Sequence, residues 1–170
     1  VINGHERCTV MEGGALDYPI VLSHSFDNLR YWFKTEFPKS RKVVVIADAG
    51  VAQHYGDEVR RTMAKASVEV AWLDVPGGES SKTIRVWETL VDSVLDVGVD
   101  RTTPIMALGG GSIGDLVGFV AASVMRGVPL IQVPTTLLSM VDSSVGGKTG
   151  LNTKHGKNLV GAFYPPSLVF

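Results

Sequence analysis

The chain has 170 residues, 45% hydrophobic and 19% charged, which is the composition of one folded globular domain and excludes disorder as its main state. Sixteen Lys and Arg stand against seventeen Asp and Glu, for a formal charge of −1, so the basic excess that a nucleic-acid partner requires is missing. Glycine is abundant at 19 residues, which points to tight turns or close backbone approach.

In chain order, the run 18–23 reads as a strand preceded by the turn-rich Glu12-Gly13-Gly14, so the first part of the chain forms a hairpin or an edge strand. Residues 26–37 read as an amphipathic helix with Leu29, Trp32 and Phe33 on one face. KVVVIA (42–47) is a continuous apolar run, typical of a strand buried on both faces. A helix (51–66), a strand (68–75) ending at Pro76-Gly77-Gly78, and a helix (83–97) with Val86, Leu90, Val94 and Val97 at helical spacing follow. Next come a buried strand (104–108), a small-residue helix (113–125) and a fourth core strand (130–133) closed by Pro134. The ending Leu168-Val169-Phe170 looks like a cut strand, and with a start at Val1 it leads us to expect a piece of a longer protein.

Strands alternating with helices give an α/β fold: a Rossmann-like, open, mostly parallel sheet with helices on both faces and an N-terminal hairpin or edge strand. Residues 1–170 read as one domain, with no internal repeat or linker. Cys8 is the only cysteine, so no internal disulfide forms, and His5, His24, His54 and His155 make no local metal motif. This composition fits a reducing cytoplasm. The longest apolar stretch, 116–133, contains Arg126 and Pro129 and is not a membrane span.

In such sheets ligands lie beyond the carboxyl ends of the strands. Three loops there carry chemistry. Gly109-Gly110-Gly111-Ser112-Ile113-Gly114 fits G-x-G-x-x-G, follows a strand and opens a helix, so its backbone N–H groups can close on a pyrophosphate. The competing reading is a glycine turn that allows close helix–sheet packing. The acid expected ~20 residues further on is missing, because Pro134 stands there; Asp48 is the best substitute, although a helix N-cap is the commoner role for such an aspartate. Gly77-Gly78-Glu79 with Lys82 offers a ribose acceptor and a phosphate cation; on these residues alone, a solvated charged turn is the favoured reading. The third loop, Asp142 to Gly150 followed by Lys157-Asn158, combines cations, an amide and an acid into an anion site; it lacks the first glycine of a phosphate-binding P-loop. Arg126 is either a charge complementing a helix C-terminus or an anion ligand.

The run GGGSIGDLVGFVAASVMRGVPLIQVPTTLLSMVDSSVGGKTGLNTKHGKNLVGAFYPP, from Gly109 to Pro166, closely resembles the 3-dehydroquinate synthase family of sugar-phosphate cyclases, with looser agreement through KVVVIADAGV and GGESSKT. The resemblance implies an NAD-binding N-terminal α/β domain. A helical C-terminal domain carrying a divalent metal (zinc or cobalt) is expected beyond Phe170, so no metal ligand is assigned here. It implies cofactor contacts at Asp48, Glu79, Lys82, Gly110, Gly111, Ser112, Ile113, Gly114, Asp115, Thr135, Thr136, Lys148 and Lys157. It implies substrate contacts at Asp142, Lys148 and Asn158, and an arginine, Arg126, lent to the neighbouring subunit of a homodimer. Two departures, Ser112 for an aliphatic residue and Gly77 for Asp or Pro, bear on no polar role in this reading. The implied reaction converts a sugar phosphate, 3-deoxy-D-arabino-heptulosonate 7-phosphate, to 3-dehydroquinate and phosphate, with no net redox change. A sibling cyclase, a polyol dehydrogenase of the metal-containing alcohol dehydrogenase type and a non-enzymatic nucleotide-binding module are the alternatives; DSSVGGKTG and GKN argue against the dehydrogenase.

Overall fold

A computed structural model describes residues 6–12 and 16–170; His5 and the glycines of the expected Glu12-Gly13-Gly14 turn lie outside them. Strands β1 (Glu6–Glu12) and β2 (Leu16–Leu22) pair antiparallel as the expected hairpin. A short 3-10 turn leads into α1 (Leu29–Glu36). Then follow β3 (Lys42–Asp48), α2 (Ala49–Lys65), β4 (Glu69–Val75), α3 (Ile84–Asp96), β5 (Ile105–Gly109), α4 (Gly111–Ser123) and β6 (Leu130–Pro134). A π-helical turn (Ser139–Ser143) precedes β7 (Lys148–Thr153), β8 (Gly156–Phe163) and β9 (Leu168–Val169).

Among the described residues one seven-stranded sheet runs in the order β1-β2-β9-β6-β5-β3-β4. Six strands are parallel and β1 is the antiparallel edge. The terminal run anticipated as a strand is β9, which slots between β2 and β6. Burial on both faces explains the continuous apolar strands. In β3, Val44 and Ile46 pack with Leu90 and Val94 of α3 and with Leu116, Val117 and Val120 of α4. The alternate residues Val43, Val45 and Ala47 pack with Leu29, Trp32 and Phe33 of α1 and with Val59 and Met63 of α2. Each large side chain sealed in this way contributes roughly 1.5–3 kcal/mol.

The hairpin β7–β8 stands apart from the main sheet, and the sequence did not announce it. Its strands are rich in Gly, Lys, Thr and Asn, its register shifts between Leu151 and Thr153, and most of β8 is exposed. No apolar alternation can arise from such a strand. The hairpin is seated by glycine. A Cβ on Gly118 of α4 would collide with the Thr149 methyl, and one on Gly114 would stand 2.9 Å from Gln132 Oε1. The close helix–sheet packing weighed for this glycine-rich segment is therefore real, and it brings β7 against α4.

Candidate functional site at the strand ends

The chain passes from β3 outward to β4 and returns to β5 on the other side of β3. That reversal is the switch point at which open α/β sheets bind ligands. Asp48 ends β3 and Gly109 ends β5 there; a Cβ on Gly109 would lie 3.2 Å from the Asp48 Cβ. Asp48 takes the N-cap role: Oδ1 accepts from the N–H of Gly50 at 2.8 Å and of Val51 at 3.3 Å. Among the described residues its Oδ2 makes no hydrogen bond, so the same carboxylate retains acceptor capacity. Gly77 sits against it so closely that a Cβ would overlap the Asp48 carboxylate. Gly77 is thus the residue that makes room for Asp48.

Lys82 overturns the reading of residues 77–82 as a solvated charged turn. Its side chain is 3% exposed. Nζ donates to Asp115 Oδ2 at 2.6 Å and to Asn158 Oδ1 at 2.6 Å, with Glu79 at 3.8 Å. The charge is tolerated because α4 and β8 bring partners that sequence distance hides, 33 and 76 residues away. Burial pushes the Asp115 carboxyl above its ordinary value, and Lys82 offsets only part of this. Glu79 behaves oppositely. Its Oε1 accepts from Asn152 Nδ2 at 2.8 Å and its Oε2 from the Ser112 hydroxyl at 3.0 Å. The Asn152 hydrogen bond first, then Ser112, Lys82 and Lys157, outweigh desolvation and hold the carboxyl below its ordinary value. Lys157 lies 3.9 Å from Glu79 on an exposed side chain. Ser112 does bear on a polar role, contrary to the expectation for that departure: an aliphatic residue there would leave Glu79 Oε2 without this donor. Gly77 likewise serves Asp48.

Beside this cluster opens a cavity of about 430 Å³ lined by Asp115, Asp142, Ser143, Lys148 and Asn158, with Phe163 at its edge. Lys148 Nζ lies 3.3 Å from Asp142 Oδ1, both side chains 63% exposed. The segment between them is fixed by its backbone. Gly146 and Gly147 have positive φ, and a side chain on Gly147 would meet the Pro165 backbone at 2.7 Å. Gly147 O accepts from Tyr164 N at 2.7 Å, and Gly146 N donates to the buried Tyr18 hydroxyl at 3.1 Å. Asn158, with φ of 56°, turns its Oδ1 to Lys82; an ammonium can only donate, so the amide Nδ2 is left for a ligand.

The fourth strand end is divided. Thr136 caps the following turn through Ser139, with Oγ1 2.8 Å from the Ser139 hydroxyl. Thr135 Oγ1 is buried without a partner, as a hydroxyl awaiting a ligand would be. Gly110 is the extended N-cap of α4; the helix continues through Gly111, Ser112, Ile113 and Gly114, and its first N–H groups have no partner within the helix. Arg126 is the one expected site residue not brought near this cluster. It follows the far end of α4, exposed, with φ of 65°. Sequence reasoning missed Asn152, a polar residue in β7, and gave Ser143 no role of its own within the DSSVGGKTG segment that contains it. Among the described residues no group of three His, Cys, Asp or Glu could hold a metal ion, and no helix is long and apolar enough to cross a membrane.

Residues 72–170 match the family model described as 3-dehydroquinate synthase N-terminal. A 3-dehydroquinate synthase of Symbiobacterium thermophilum is 46% identical over 160 residues, 94% of this chain and 45% of that protein. The chain thus spans less than half the length of this curated relative. A 2-deoxy-scyllo-inosose synthase solved with carbaglucose-6-phosphate, NAD+ and Co2+ superposes with a TM-score of 0.88 at 30% identity, over 97% of this chain and 45% of that one. ValA, a 2-epi-5-epi-valiolone synthase from Streptomyces hygroscopicus subsp. jinggangensis solved with NAD+ and Zn2+, gives 0.81 at 29%, over 94% and 44%.

Proposed function

The chain belongs to the 3-dehydroquinate synthase family, and from that premise we propose that it is the NAD-binding domain of a cytoplasmic shikimate-pathway enzyme converting 3-deoxy-D-arabino-heptulosonate 7-phosphate to 3-dehydroquinate and phosphate. The observation that carries the reading is spatial. Asp115, Asp142, Lys148 and Asn158 line one cavity, and that cavity adjoins the Glu79–Lys82 cluster at the switch point of the sheet. The higher identity to curated 3-dehydroquinate synthases, 46%, than to the inosose synthase, 30%, favours this member over a sibling cyclase.

The residues present fit a dinucleotide. Glu79, held ionised, accepts from ribose hydroxyls, with Asp48 Oδ2 as a second acceptor. The N-terminus of α4 turns unpaired N–H groups and its dipole toward a diphosphate. The orphaned Thr135 hydroxyl gains a partner. Lys157 adds positive charge beside Glu79. When bound, NAD would supply reversible hydride exchange with a substrate carbinol. On the substrate side, Lys148 holds the phosphate as a point charge and Asn158 Nδ2 donates to it. Asp142 orients a substrate hydroxyl and releases Lys148 as the anion arrives. The metal bound in the solved neighbours has no ligand set among the described residues, and in this reading a C-terminal helical domain would supply its ligands. Arg126, exposed and remote from its own cavity, serves the phosphate pocket of a second subunit in a homodimer.

Calorimetric titration of NAD into the folded chain tests this. Saturable one-to-one binding, with no phosphate release from substrate by these 170 residues, is the expected result. A folded chain that fails to bind NAD, or that releases phosphate without metal, overturns it.

A further inference from the structure

Asn152 makes three hydrogen bonds, and each reaches a different part of the site. Its backbone N–H donates to Lys82 O at 2.8 Å. Its Nδ2 donates to Glu79 Oε1 at 2.8 Å. Its Oδ1 accepts from the Asn158 N–H at 3.0 Å. A carboxylate only accepts and a backbone N–H only donates, so the orientation of the amide is fixed by its neighbours. We propose that Asn152 is a positioning residue for the nucleotide, holding Glu79 and Asn158 in their ligand-facing geometry while tying the β7–β8 hairpin to the turn after β4. The proposal rests on the reading of Glu79 as a ribose acceptor.

The geometry supports this on both sides. Glu79 has one oxygen on Asn152 and the other on Ser112, so turning the carboxylate breaks a hydrogen bond, yet it keeps lone pairs for a ribose. The charges facing it are Lys82 at 3.8 Å from its own turn and Lys157 at 3.9 Å from β8, with Asp115 of α4 beyond Lys82. Neither lysine is within hydrogen-bond distance, so Asn152 and Ser112 are the groups that aim the carboxylate. Asn158 adopts a left-handed backbone, which asparagine tolerates when its polar groups are held locally. Its N–H on Asn152 and its Oδ1 on Lys82 hold it in that conformation.

Two variants of the chain test the assignment, Asn152→Ala and Asn152→Asp. The aspartate is isosteric and keeps an oxygen for Asn158 N–H, but it sets a second carboxylate against Glu79. NAD is titrated calorimetrically from acidic to neutral pH, and the Glu79 carboxyl is followed by carbon-13 NMR, with circular dichroism checking the fold. Asn152→Ala is expected to weaken NAD binding about tenfold, the scale of one lost charge-assisted hydrogen bond. Asn152→Asp is expected to weaken it further. Because Asn152 is the largest influence lowering Glu79, its titration moves upward in both variants, and the acid loss of NAD affinity begins at a higher pH. Wild-type affinity in Asn152→Asp, or a lower melting temperature with Glu79 unmoved, overturns the proposal. If the parent chain binds no NAD, the cofactor reading fails by itself. The Glu79 titration then still decides: movement in the variants supports Asn152 as its anchor, and no movement removes it.

Discussion

Two lysine–aspartate pairs lie side by side in this molecule and differ in almost everything except composition. Lys82 and Asp115 meet at 2.6 Å with side chains 3% and 18% exposed. Lys148 and Asp142 meet at 3.3 Å with both 63% exposed. The first pair joins the turn after β4 to α4 and, through Asn158, to the hairpin, so its charges are bound up in the packing of three elements. The second sits at the mouth of a cavity, where water competes for both charges and the pair is worth little. A weak pair can open for an anionic ligand at small cost. The burial of one pair holds the floor rigid, and the exposure of the other leaves its charges available.

The largest expected effect breaks the buried pair. Lys82→Met leaves Asp115 without its cation in a desolvated position, and losing one partner of a buried pair costs about 3–5 kcal/mol. Urea unfolding at neutral pH measures it. A loss below about 1 kcal/mol would make Lys82–Asp115 equivalent to its exposed counterpart and end the contrast. Lys148→Ala examines the other half. In the full-length enzyme turnover is expected to fall about a hundredfold, the scale of one removed charge-stabilising group. Stability stays within about 0.5 kcal/mol, and NAD affinity changes less than turnover. Equal losses in turnover and NAD affinity would move Lys148 to the cofactor side.

The contrast was only partly legible in the sequence. The apolar strands and the glycine turn after β5 are local signals, read by periodicity and by residue type, and the order of elements from residue 26 to residue 134 follows from them. The group Asp142, Lys148 and Asn158 was legible as a likeness in residue type, and the fold does place it around one cavity. Two kinds of information were not local. Lys82 looks solvated within its own turn because the partners that bury it are contributed by α4 and β8. Asn152 and the whole β7–β8 hairpin carry no apolar alternation, since the hairpin is held by α4 on one side and is open on the other.

A smaller effect probes how the hairpin is seated. The Thr149 methyl meets Gly118 of α4, and the rotamer is fixed because Thr149 Oγ1 donates to Ala162 O at 2.7 Å. Gly118→Ala would gain about 1 kcal/mol of helix propensity but overpack this contact by about 1–3 kcal/mol. We expect a net loss near 1 kcal/mol in urea unfolding, with Lys148, adjacent to Thr149, displaced from Asp142. A net gain in stability would show that β7 is free to lift from α4.

The finest test compares two carboxyls of the same cluster. Unperturbed, an aspartate titrates at 3.8 and a glutamate at 4.5. Here burial raises Asp115, while the Asn152 hydrogen bond and its companions lower Glu79, so the two carboxyls move toward each other. The two contribute to stability with opposite signs. Glu79 binds fewer protons folded than unfolded; its contribution is complete above 4.5 and is lost as pH falls through its lowered folded value. Asp115 binds more protons folded than unfolded; it carries no penalty well below 3.8 and acquires one as pH rises through its raised folded value. Carbon-13 NMR of the side-chain carboxyls should therefore show Asp115 titrating above its ordinary value and Glu79 below its own. Lys82→Met should drive Asp115 higher still, because the lysine is what restrains it. An Asp115 that titrates at or below its ordinary value would mean that water reaches it and that the buried floor is as open as the cavity beside it.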